Sequence, residues 1–122
     1  MLAAQLGLDA LSEASVLVRR QRHAELVDRQ PVLPGVQALL DVGLPCAIAS
    51  NSPVSWVDRN LRRLGLREWF VSIHGIDTVA RGKPAPDSYL AACASIGVAP
   101  ARAVAFEDSA TGVAAAKAAG LF

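Results

Sequence analysis

The sequence predicts an α/β fold, a parallel sheet with helices on its faces. Three observations carry that expectation. From residue 45 onward, short apolar runs alternate with segments of helical periodicity, and strands that alternate with helices return through crossovers to lie parallel. The run Cys46-Ala47-Ile48-Ala49 is continuously apolar, as in a strand buried on both faces. Glycine closes each of the last four helical segments, at Gly43, Gly65, Gly97 and Gly120.

Each element follows from its own residues. Between residues 10 and 29, Leu11, Ala14, Val18, Ala24 and Val27 recur at three- to four-residue steps among charged neighbours, the pattern of an amphipathic helix. Pro31 and Pro34 interrupt it, and residues 35–40 read as a short second helix. Residues 45–50 form the first strand. Val57, Leu61 and Leu64 give residues 54–64 helical periodicity, with Ser52 as N-cap ahead of Pro53 at the first helical position. Residues 69–73 are a second strand, 86–96 a helix, 103–106 a third strand, and 111–119 a last helix.

The 122 residues suit at most one domain, and 52% hydrophobic content supports a packed core. Much of that content is alanine, which buries little area per residue, so stability should be marginal. Twelve Lys and Arg against 11 Asp and Glu, with no run of like charge, point away from nucleic-acid or membrane surfaces and toward a small partner. Cys46 and Cys93 lack the spacing of a zinc site or disulfide framework and read as core residues of a reducing compartment. No basic leader or long apolar span is visible, so a soluble cytoplasmic protein is expected. His23, His74, Trp56 and Trp69 read as structural or packing residues.

In parallel sheets ligands gather beyond the carboxyl ends of the strands. Ser50 and Asn51 follow the first strand. If Ser52 caps the helix, the Ser50 hydroxyl is left for an anion beside exposed backbone N–H groups. Lys83 lies between Gly82 and Pro84, ahead of a helix beginning at Pro86. A cation so held could offset charge on a phosphoryl group, whereas a lone loop lysine is usually a solvated charge. Glu107 and Asp108 follow the third strand, and with Ser109 or Thr111 available as the cap, two hard oxygen ligands remain for Mg2+.

Ser50-Asn51-Ser52, Gly82-Lys83-Pro84-Ala85-Pro86-Asp87 and Phe106-Glu107-Asp108-Ser109 through Gly112 resemble three motifs of the haloacid dehalogenase superfamily. The nearest branch is that of β-phosphoglucomutase and related sugar-phosphate and phosphoglycolate phosphatases. The resemblance implies a partial Rossmann-like, three-layer core over residues 31–122, with residues 1–30 as the remnant of a helical cap domain. It implies a Mg2+-dependent phosphatase or phosphomutase acting on a small phosphorylated metabolite through an aspartyl-phosphate. In that scheme Lys83 and Ser50 are catalytic, Ser50, Asn51 and Lys83 bind substrate, and Glu107 with Asp108 binds Mg2+.

The family's nucleophile, the first aspartate of an Asp-x-Asp pair, has no counterpart, because no Asp-x-Asp occurs in the chain. Asp9 is a poor substitute, with Leu11 two positions on. The nucleophile strand would lie between residues 46–50 and 103–106, and its loss leaves unpaired backbone groups costing on the order of 1–3 kcal/mol each. The expectation is a piece of a longer enzyme, cut at both ends and inactive alone. The alternatives are a non-enzymatic remnant that binds phosphate or a partner chain, and a receiver-like signalling domain. The receiver is disfavoured because its acid pair belongs after the first strand.

Overall fold

The computed structural model describes residues 13–122, so the expected helix start at residues 10–12, and Asp9, lie outside the described residues. The chain parts into two compact units between Val32 and Leu33. In the first, α1 (Glu13–Asp28) is the expected helix, but the amphipathic pattern is weak: Ala24 and Val27 are half-buried while Val18 and Leu26 are exposed. No described helix is long and apolar enough to cross a membrane.

The second unit runs through α2 (Val36–Leu40), β1 (Cys46–Ala49), α3 (Val54–Arg63), β2 (Phe70–His74), α4 (Asp87–Ser95) and α5 (Ala110–Ala119). Single 3-10 turns precede β2 at Arg67–Trp69 and follow α4 at Pro100–Arg102. β1 and β2 are parallel, pairing Ala47 with Ser72, Ile48 with Ile73 and Ala49 with His74, and the ladder extends through the Ser50 N–H to the His74 carbonyl at 2.9 Å. The entry into β2 is held by Asp58, which accepts from Arg62 Nε and Arg67 Nε, both at 2.7 Å, while Arg67 also donates to the Phe70 carbonyl at 2.7 Å.

α4 packs on both strands and against α5, and α3 packs on β2. One core cluster sets Tyr89 against the small residues Ala115, Ala116 and Ala119, flanked by Ala49, Ala105 and Leu121, while Leu40, Val57, Leu61 and Leu66 are buried as well. Ala49 ends β1 and Ala105 lies just before the acid pair, so this cluster draws the two functional segments toward one edge.

Several expectations are corrected. Among the described residues the sheet has two strands, and residues 103–106 are not one of them. This segment bonds instead to the end of the chain: the Ala105 N–H donates to the Phe122 carbonyl at 2.8 Å and the Phe122 N–H to the Ala103 carbonyl at 3.1 Å, the slanted pattern of a parallel pair. β1 is half-buried rather than buried on both faces, with β2 as its one strand neighbour among the described residues. Trp56 remains 40% exposed, because α3 turns Val57 and Leu61 into the core instead, and Trp69, in the 3-10 turn before β2, is 42% exposed. Cys93 is buried as expected, but Cys46 is half-buried with its thiol on the Leu44 carbonyl at 3.3 Å.

Candidate functional site

At the end of β1 the backbone turns sharply into α3. The expected capping arrangement is overturned here. Pro53 occupies the N-cap position with no side-chain cap, and the Ser50 hydroxyl accepts the Ser52 N–H at 3.0 Å. The orphan N–H of Val54 is taken by Asp77 Oδ1 at 3.0 Å, from the loop after β2. Proline leaves no N–H to cap at position 53, and the loop carboxylate supplies the acceptor that Ser52 does not. Ser50 is therefore not idle; one lone pair holds the turn, and its O–H remains available as a donor.

Asn51 reaches across 32 residues to the lysine loop. Its Oδ1 accepts the Lys83 N–H at 2.8 Å and its Nδ2 donates to the Lys83 carbonyl at 3.2 Å. A Cβ on Gly82 would lie 2.9 Å from Asn51 Oδ1, so glycine permits this approach. On the outer side of the loop, Arg81 forms an ion pair with Asp87 at 2.8 Å.

The Lys83 side chain runs inward to Glu107. The two ends form an ion pair in which each side chain is only 9% exposed. Tyr89 completes the cluster: its hydroxyl donates to the same Glu107 oxygen, and Lys83 Nζ sits 4.9 Å from its ring centroid. Burial alone would push the Glu107 carboxyl up, but hydrogen bonds from Lys83 and Tyr89 outweigh it and hold the group below its ordinary value. Burial, followed by the bond to Glu107, pushes the Tyr89 phenol up, so it stays a protonated donor. Sequence reasoning missed Tyr89. Its spacing of six residues from Lys83 was the available signal, bringing a helix-borne aromatic under the loop.

Glu107 lies over the start of α5. Ser109 caps that helix, accepting the Gly112 N–H at 3.0 Å, as one of the two expected caps. Its hydroxyl also lies 3.3 Å from Glu107 Oε2. A Cβ on Gly112 would collide with the Glu107 carboxylate, so the glycine of this motif makes room for the acid. Asp108 is exposed beside it. The structure thus joins Asn51, Lys83 and Glu107 by direct contacts, with Ser50 and Asp108 as the chain neighbours of Asn51 and Glu107. The two acids differ: Glu107 is engaged with Lys83 and Tyr89, whereas Asp108 faces solvent. Among the described residues, no three of His, Cys, Asp and Glu gather closely enough to hold a metal by themselves.

A parallel α/β unit with polar groups converging at the strand ends defines a class of enzyme-like folds rather than one activity. The family is settled by comparison. The chain belongs to the haloacid dehalogenase-like hydrolases, whose family model matches residues 2–120. YhcW of Bacillus subtilis (strain 168) is 40% identical over 121 residues, covering 96% of this chain and 55% of that protein. The phosphorylated carbohydrates phosphatase of Thermotoga maritima is 40% identical over 93 residues, covering 72% of this chain and 43% of that protein. Among solved structures, a hydrolase of the same family from Deinococcus radiodurans R1, with bound phosphate and sodium, superposes with a TM-score of 0.78 at 32% identity, covering 98% of this chain and 55% of that one. The chain spans about half the length of the curated relatives it matches.

Proposed function

We propose that this chain supplies the phosphate-holding and metal-holding part of a phosphatase or phosphomutase for small phosphorylated sugars. The observation that carries the reading is the unbroken run of contacts from the end of β1 through Asn51 to Lys83 and on to Glu107. It sets a hydroxyl and a largely buried ammonium group at one edge of the sheet. The phosphorylated-carbohydrate activity named for the Thermotoga maritima relative and the phosphate in the Deinococcus radiodurans structure favour the same substrate class.

In this reading the Ser50 O–H donates to a phosphoryl oxygen while its lone pair keeps the turn in place. Lys83 offsets charge on the phosphoryl group, where a positioned cation contributes most to transition-state stabilisation. The residues fit Mg2+ in part: Asp108 is a free hard-oxygen ligand, and Glu107 retains acceptor capacity on Oε2. Bound there, Mg2+ would neutralise charge on the phosphate. The nucleophilic aspartate that would carry the covalent phosphoryl group is assigned to a strand outside this sequence, and residues 1–30 to the end of a cap domain that selects the substrate.

The test has two parts. Inorganic phosphate titrated into the 122-residue chain with Mg2+ should shift the amide resonances of Ser50 and Lys83, and Lys83→Ala should abolish the response. A synthetic apolar strand ending in Asp-x-Asp, mixed with the chain, should confer Mg2+-dependent release of phosphate from fructose 1-phosphate or glucose 1-phosphate, lost on Lys83→Ala or Asp108→Asn. Absence of phosphate binding, or turnover that survives Lys83→Ala, refutes the reading.

A further inference from the structure

Asn51 stands next to the Ser50 hydroxyl, where a polar side chain is naturally taken for a direct ligand contact. Its geometry points elsewhere. The amide bonds both polar groups of the Lys83 backbone, as a neighbouring strand would, and uses one acceptor lone pair and one of its two N–H donors to do so. Around this contact, Gly82 lacks the Cβ that would press on Asn51 Oδ1. Beyond it, the lysine side chain crosses to Glu107 and Tyr89.

We propose that Asn51 is the positioning residue for Lys83, a two-point clamp that fixes the lysine's backbone to the end of β1 and so aims its ammonium group. A lysine side chain is flexible and carries about 2 kcal/mol of rotamer entropy. Its charge acts at a defined point only if its backbone origin is fixed as well as its tip. Glu107 and Tyr89 hold the tip; Asn51 holds the origin. The clamp also ties the lysine to the strand end that carries Ser50, so hydroxyl and cation keep one spacing. This inference deepens the phosphate reading and rests on it for its purpose, although the clamp itself can be measured without phosphate.

Two variants separate positioning from direct ligation. Asn51→Ala removes both hydrogen bonds. Gly82→Ala leaves the Asn51 side chain intact but sets a methyl group against the flexible end of Ile76 and 2.9 Å from Asn51 Oδ1, displacing the clamp. Hydrogen exchange of the Lys83 amide, read by NMR in the 122-residue chain, should quicken in both variants by roughly tenfold to a hundredfold, the range expected for two hydrogen bonds of ordinary net strength. Affinity for inorganic phosphate should fall in both by a similar factor, with circular dichroism spectra unchanged. Unaltered Lys83 exchange in Asn51→Ala overturns the clamp. Weakened phosphate binding in Asn51→Ala but not in Gly82→Ala, with exchange quickened in both, overturns positioning in favour of a direct contact. A wild-type chain that binds no phosphate defeats the functional reading, while the exchange data still decide the clamp.

Discussion

Replacing Glu107 by Gln tests the centre of the site, because the substitution removes one charge and almost no volume. In the wild type, Lys83 and Glu107 are each 9% exposed, and Tyr89 donates to the same carboxylate. Breaking a buried pair costs about 3–5 kcal/mol, because it leaves the remaining charge uncompensated. Glutamine can still accept from Tyr89 and Lys83 through its carbonyl, so the lower end, about 3 kcal/mol, is expected. Against a typical stability of about 5–15 kcal/mol, and an alanine-rich core that favours the low end, that is a large fraction. Urea unfolding followed by circular dichroism, without added Mg2+, measures it: the midpoint should fall with the slope unchanged.

The pH dependence of that difference sharpens the test. The Glu107 carboxyl is held below its ordinary value of 4.5, so the pair's contribution is fully present above about that pH. It fades as the pH falls through the lowered value of the folded state, because a protonated glutamate resembles the glutamine. Wild type and Glu107→Gln should therefore differ most near neutrality and converge in acid. A difference under about 1 kcal/mol at pH 7, or one that stays constant into acid, would refute a buried ion pair.

Three further outcomes follow from the same geometry. Gly112→Ala should destabilise by about 1–3 kcal/mol through collision with the Glu107 carboxylate, although helix propensity alone favours alanine by about 1 kcal/mol; a raised melting temperature would mean the acid does not lie over α5. Ser109→Ala should cost about 1 kcal/mol in chemical denaturation by removing the cap on the Gly112 N–H, and no loss would deny the cap. Burial lowers the His74 imidazole from its ordinary 6.5, so the stability it contributes is present above that pH and lost as the pH falls through the lowered value. Its proton NMR titration should have a midpoint below 6.5; one at or above 6.5 would show a solvated ring.

Local chemistry was readable wherever a residue answers to neighbours within a turn or two. The period of Val57 and Leu61, the Ser109 cap and the left-handed Gly120 that ends α5 at φ 85° all come from such short-range preferences. So does the recognition of the three motifs, which are contiguous stretches of sequence. Residues 103–106 have the composition of a strand, yet strand membership is decided by which backbone lies alongside, and here that is Phe122. The placing of Ser52 failed for a similar reason, since the competing acceptor, Asp77, arrives from a loop 23 residues beyond Val54.

The α/β alternation, the residue types offered at the strand ends and, through the motifs, the family are legible in the order of residues alone. Folding adds how those residues divide the work: Asn51 on the lysine backbone, Tyr89 and Lys83 sharing one oxygen of Glu107, and Asp108 left to solvent. The physical reason is range. Backbone preference and capping act over a few residues, whereas charge pairing, desolvation and the room for a carboxylate depend on groups that folding alone brings into contact.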